Sequence, residues 1–184
     1  MPLLMLKDLP RYECLLEVAR NHPDLDPSAC EAYLNLLRAG DEAYRRSESF
    51  FTEHNMSPGR FTVMMLLYDK LAATTIPQTP ADLAEMAGVT RATMTGLVDT
   101  LERDGLVTRR HDSEDRRMML IHLTPKGTAA LQEVLPGHFK QMAAQMAPLS
   151  EQERKTLVRL LNKVAAKAAA MSVESSEVLH ARSA

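Results

Sequence analysis

Asp115, Arg116 and Arg117 stand together within "DSEDRRMMLIHLTPKG" (residues 112–127), just ahead of a short apolar run. A guanidinium is permanently charged and forked, so paired arginines on a hairpin tip suit the narrowed minor groove of a duplex, where negative potential is focused. Asp115 lies two residues before Arg117, close enough to orient it by an ion pair. Arg109 and Arg110, in the preceding run "LVTRRH", are placed to meet phosphates. Asp112, Glu114 and Asp115 oppose these cations, and in isolation the segment would read as a solvated loop. Its meaning depends on what precedes it.

What precedes it is "TPADLAEMAGVTRATMTGLVDTLERDGLVTRR", residues 79–110. Two short helices linked by a glycine-containing turn and followed by a hairpin make a winged helix-turn-helix. In the second helix Met94, Leu97, Val98 and Leu101 share one face and should pack inward. Ala92, Thr95, Gly96, Asp99 and Arg103 face the other way, flanked by Arg91 and Thr93. An outward face of small residues lets a backbone approach base edges in a major groove. Threonine methyls can meet thymine, Arg91 can reach guanine or phosphate, and the N-terminal amides suit phosphate. Thr90, Arg91, Ala92, Thr93, Thr95 and Gly96 are therefore the candidate reading residues. Arg109, Arg110, Asp115, Arg116 and Arg117 are the candidate wing residues.

The elements that must hold these residues are well punctuated. Ser57-Pro, Thr79-Pro and Thr124-Pro each place a hydroxyl N-cap before a proline at the first helical position, and Ser150 to Glu153 is a capping box. The spacing predicts helices over 8–21, 28–54, 57–71, 79–87, 90–103, 126–146 and 151–171. Strands are expected at 106–111 and 118–123, a loop at "AATTIPQ", and a polar, flexible tail over 172–184. Tyr33, Leu36, Leu37, Gly40, Ala43, Tyr44, Ser47, Phe50 and Phe51 form one stripe along the long second helix. The fold class is mainly α with a small β-hairpin wing (α+β), with four regions. Residues 1–56 form N-terminal helices, 57–123 the winged domain, 124–171 C-terminal helices and 172–184 the tail. The apolar faces outside the winged domain exceed what it could cover, so burial against a twin is expected.

Composition narrows the alternatives. With 22 basic and 24 acidic residues the formal net charge is −2, so any nucleic-acid face must concentrate its positive charge locally. No apolar run reaches membrane-spanning length. The start "MPLLMLKDLPRYE" has no basic leader, so a cytoplasmic location is the default. Cys14 and Cys30 make neither a disulfide framework nor a metal spacing; they read as reduced thiols, with a redox-sensing pair as the alternative. The six histidines show no ligand spacing, so neither metal nor cofactor is expected. No phosphate-cradling glycine loop or nucleophile elbow appears, which argues against an enzyme. A winged helix that binds protein rather than DNA is the other rival, favoured by the net charge.

From Met56 to Gly127 the chain resembles the MarR family of winged-helix transcription regulators. "MSPGRF", "LAEMAGVTRATMTGLVDTLERDGLVTRR" and above all "DSEDRRMMLIHLTPKG" carry the likeness. That resemblance implies a homodimer on a pseudo-palindromic DNA operator, most often a repressor released by a small anionic aromatic or phenolic effector. It gives Asp115 and Arg117 wing-tip roles and Thr90 to Gly96 recognition-helix roles. It also implies an effector cleft walled here by Tyr44, Phe51, Phe61, Met65 and Met86, although aromatic and methionine stripes at helical spacing are more often ordinary core. The first helix and "EVLPGHF" resemble the urate-responsive branch. The chain lacks tryptophan, however, and has Thr62 near that branch's acidic position, so urate is not expected. Cys30 lies near the position of a peroxide-sensing cysteine in another branch.

Overall fold

A computed structural model describes residues 8–68 and 78–181, with side chains described as far as Met171. The element order is α1 (Tyr12–Asn21), α2 (Pro27–Glu53), α3 (Pro58–Leu66), α4 (Pro80–Ala87), α5 (Arg91–Arg103), β1 (Val107–His111), β2 (Met119–Leu123), α6 (Pro125–Met146) and α7 (Glu151–Ala181). The chain divides into two compact units, residues 1–139 and 140–184.

Hydroxyl and carboxylate caps start most of these helices. Asp26 accepts from the Ser28 and Ala29 N–H groups at 2.9 and 3.1 Å, so Asp-Pro starts α2 as Ser-Pro and Thr-Pro start others. Thr79 and Asp82 form a reciprocal capping box on α4, as Ser150 and Glu153 do on α7. Three boundaries differ from expectation. The first helix begins at Tyr12 rather than residue 8, because Pro10 disfavours helical geometry in Leu9. Helix α3 ends at Leu66 rather than near Leu71. There Tyr68 N–H bonds the Met65 carbonyl in a tight last turn, and Tyr68 Oη pairs with Gln132 Nε2 at 3.3 Å. Most of the expected loop 72–78 lies outside the described residues, although Gln78 bridges to Ile121 as a short third strand position. Helix α7 continues past Met171 to Ala181, where a flexible tail was expected. "SVESSEVLHA" contains no proline or glycine to stop it.

In the unit spanning residues 1–139, one core joins the helices to the hairpin. Val63, Met64, Leu83, Met94, Val98, Leu101 and Leu131 have no exposure, and Val107 and Ile121 close it from the strands. The antiparallel register pairs Val107 with Leu123 and His111 with Met119. Along the α2 stripe Phe51 is buried and Phe50 half-buried, whereas Tyr33 and Tyr44 are exposed. The buried Asp41 on the same helix is paired with Arg45.

Two features of α6 fix the base of the winged region. Thr124 Oγ1 accepts the Gly127 N–H at 3.0 Å and donates to the Gly105 carbonyl at 2.7 Å. This draws the helix start onto the turn after α5. A Cβ on Gly127 would stand 2.0 Å from the Leu106 carbonyl oxygen, so only glycine fits. Further along, His138 stands 4.8 Å from the Phe61 ring and 5.1 Å from Phe51, with Phe50 and Phe139 beyond. Its Nδ1 is buried without a hydrogen-bond partner among the described residues. Burial pushes the imidazole pKa down and so favours the neutral ring.

Gly127→Ala should cost about 3 kcal/mol, because the clash is with backbone that cannot turn aside; denaturant unfolding measures it. As pH falls below about 6.5 the unfolded chain gains a proton at His138 before the folded chain does, so stability declines there. His138→Leu should flatten that part of the stability–pH profile.

Candidate nucleic-acid interface

The interface is built outward from α5. Thr90 Oγ1 accepts the Thr93 N–H at 3.1 Å and shares a hydrogen bond with Thr93 Oγ1 at 2.9 Å, fixing the first turn. Gly88, left-handed at φ 64°, ends α4 and turns the chain within two residues into that cap. Met94, Val98 and Leu101 are fully buried and Leu97 half-buried, which fixes the helix's rotation as the sequence pattern anticipates. Thr90, Arg91, Ala92, Thr93, Thr95 and Gly96 are all exposed. Thr95 Oγ1 donates to the Arg91 carbonyl at 2.9 Å, which occupies its hydroxyl proton within the helix. A Cβ on Gly96 would meet nothing within 4 Å, and its φ is not positive. Neither folding nor packing therefore calls for glycine there.

The wing follows from β1 and β2. At its tip Asp112 Oδ1 accepts the N–H groups of Glu114 and Asp115 at 2.6 and 3.1 Å, a side-chain-stabilised turn. Met118 N–H closes the loop on the Asp115 carbonyl at 2.8 Å, and His111 Nδ1 donates to the Arg116 carbonyl at 2.8 Å. Asp115 grips Arg117 at three points: its backbone N–H at 3.0 Å, Nε at 3.1 Å and Nη2 at 3.2 Å. The Arg117 side chain is nonetheless 91% exposed, so its fork is aimed and still available. Arg117 holds the Asp115 carboxyl below the ordinary carboxylate range, with its backbone N–H adding to the effect. The grip therefore persists through the ordinary carboxylate range and is lost only as pH falls below it, when the carboxyl takes up its proton. Two of the three acids that seemed to oppose the wing cations thus organise them instead.

Arg110 and Arg116 are exposed and, like Arg91, form no ion pair among the described residues. Arg109 differs from these three in its surroundings. It was expected to meet phosphate, but its guanidinium is paired with Asp99 and Glu102 of α5, and its backbone N–H donates to Glu102 Oε1 at 3.1 Å. Pairing between β1 and a helix one turn earlier is a tertiary contact that the local pattern of cations does not encode.

Of the candidate cleft residues, Phe51 and Phe61 are buried with ring centroids 4.5 Å apart, and Met65 packs against the same core. Tyr44 and Met86 are exposed and stand outside that cluster. Among the described residues no group of acidic, histidine or cysteine side chains could hold a metal. Among the same residues no helix is long and apolar enough to cross a membrane.

A two-helix reader followed by a hairpin with an aimed arginine is a winged helix-turn-helix. The MarR family model matches residues 56–119. The chain is 38% identical over 156 residues to the transcriptional repressor YetL of Bacillus subtilis, covering 85% of this chain and 92% of that one. Among solved structures, Bordetella bronchiseptica BpsR, described in connection with regulation of DNA binding by 6-hydroxynicotinic acid, is 27% identical. Its TM-score is 0.58 over 71% of this chain and 91% of its own. The DNA complex of Staphylococcus aureus MepR shares the fold at 21% identity, with a TM-score of 0.64 over 74% of this chain and 96% of its own. The chain belongs to the MarR family of helix-turn-helix transcription regulators.

Gly96→Ala separates folding from recognition. It should raise stability by about 0.5–1 kcal/mol, because a solvent-exposed helical glycine is replaced without a clash. The same variant should bind a cognate duplex more weakly, which thermal unfolding and duplex titration on one sample would measure.

Proposed function

We propose that this regulator is a homodimeric repressor that reads a pseudo-palindromic operator and leaves it when a small anionic aromatic effector binds. The single observation that carries the DNA reading is the outward face of α5. Apart from Arg91, its exposed side chains near the N-terminal end are small, a Cβ on Gly96 would meet nothing within 4 Å, and nothing in the fold requires glycine there. A surface kept free of side-chain bulk beside an aimed Arg117 fits base edges and an adjacent minor groove. Thr90, Arg91, Ala92, Thr93, Thr95 and Gly96 then read the major groove. Arg116 and Arg117 enter the minor groove, and Arg110 meets phosphate.

Exposed apolar surface on the C-terminal helices supports the twin. Val158, Leu161, Val164 and Met171 on α7, and Phe139, Met142 and Met146 on α6, are all exposed. Burying them against a second copy relieves that exposure and would set the two reading helices about 34 Å apart, one duplex turn. The repressor role is supported by the description of YetL, and the effector class by the 6-hydroxynicotinic acid named for BpsR. The reading as a binding protein is supported by the description of YetL as a transcriptional repressor.

The test is selection of bound duplexes from a random pool, followed by titration over a range of salt concentrations. The proposal expects an enriched two-fold symmetric site, a dimer by sedimentation, and affinity that falls steeply and log-linearly with salt. Arg117→Ala should cost about 1–3 kcal/mol of binding. Asp115→Asn should also weaken binding although it removes a negative charge, because it releases Arg117. No enrichment, or a monomer at binding concentrations, overturns the proposal. Tighter binding by Asp115→Asn removes the aiming role.

A further inference from the structure

Arg109 sits where the wing meets the reading helix, and its surroundings are unlike those of the other interface arginines. Its Nη2 lies 2.5 Å from Asp99 Oδ1, its Nη1 pairs with Glu102, and its own backbone N–H donates to Glu102 Oε1 at 3.1 Å. One residue of β1 is therefore tied at three points to successive turns of α5. Its side chain is only 26% exposed, whereas that of Arg117 is 91% exposed. Asp99 follows Thr95 by one helical turn and is itself exposed, so it stands on the reading face. An unpaired carboxylate there would repel phosphate.

We infer that Arg109 is a positioning residue for DNA binding: by bridging Asp99 and Glu102 it fixes the angle between wing and reading helix and masks the carboxylate on the reading face, without itself touching DNA. The inference rests on the DNA reading proposed above. Its physical basis is that a planar fork can satisfy two carboxylates at once, whereas a lysine ammonium is a single compact charge. With the bridge intact, the helix face and the wing tip are presented at a set separation, and the cost of ordering them is met before DNA arrives. Arg109 is also drawn further toward the charged form, mainly by its bond to Asp99, in keeping with a guanidinium committed to internal partners.

The experiment uses the full-length protein and the duplex selected by the wild type from a random pool. Arg109→Ala, Arg109→Lys, Asp99→Asn with Glu102→Gln, and the triple combination with Arg109→Ala are titrated at several salt concentrations, with thermal midpoints recorded. Arg109→Ala should weaken binding between about twofold and thirtyfold, the range for residues that act through a coupled element. The slope of log affinity against log salt should not shrink. In the background lacking both carboxylates, removing Arg109 should cost little more, the signature of a shared network. Arg109→Lys should recover only part of the affinity. A salt slope smaller by about 0.9 would mean that Arg109 meets a phosphate, overturning the inference. Additive losses, or unchanged affinity in Arg109→Ala, would overturn it too. Failure of the wild type to bind any selected duplex would instead count against the DNA reading itself.

Discussion

Burial of Met94, Val98 and Leu101 is the constraint on which the interface depends. Each side chain is fully enclosed, and together they occupy one face of α5. Because side chains three or four residues apart lie along one side of a helix, burying that side determines what the other presents. A turn of α5 about its axis would force these residues into water, each at a cost of about 1.5–3 kcal/mol. Thr95 and Gly96 consequently look outward for a reason internal to the fold. The caps at Thr79 and Thr90 and the left-handed Gly88 set where the helix begins. The close approach of Gly127 to Leu106 sets where the chain goes after it ends.

A chain of net charge −2 is an unpromising partner for a polyanion until its charges are placed. Of the acids near the interface, Asp112 caps the wing turn, Asp115 aims Arg117, and Asp99 and Glu102 hold Arg109. Asp104 pairs with Arg60, and its carbonyl accepts from Lys126. The carboxylates therefore do structural work between elements, while Arg91, Arg110 and Arg116 stay exposed. Local placement, and not total charge, decides the sign of the field that a phosphate meets.

Much of this was legible in the sequence because it is local. A hydroxyl followed by proline specifies a helix start within a few residues, and four helices begin on that signal or on the related Asp-Pro. The inward and outward faces of α5 follow from spacing alone, and the Asp115–Arg117 pair spans two residues. What was not legible depends on distant partners. Arg109 looked like its neighbour Arg110 until the fold brought Asp99 and Glu102 beside it. After α3 ends, Tyr68 pairs with Gln132, 64 positions away, a contact that local spacing does not announce. His138 gave no sign of its position among four phenylalanines from α2, α3 and α6. Polar composition alone suggests a tail after Met171, yet "SVESSEVLHA" has no helix breaker and α7 continues to Ala181.

The most direct test of the account attaches a DNA-cleaving iron chelate at two sites in turn. The chelate goes on Thr95→Cys in α5 or Ser113→Cys in the wing, each in a background with Cys14→Ser and Cys30→Ser. On a selected duplex, the α5 tether should cut from within the major groove of each half-site. The wing tether should cut in the flanking minor groove, about half a turn away. Cleavage from Thr95→Cys no more localised than that of free chelate would contradict the account at its base.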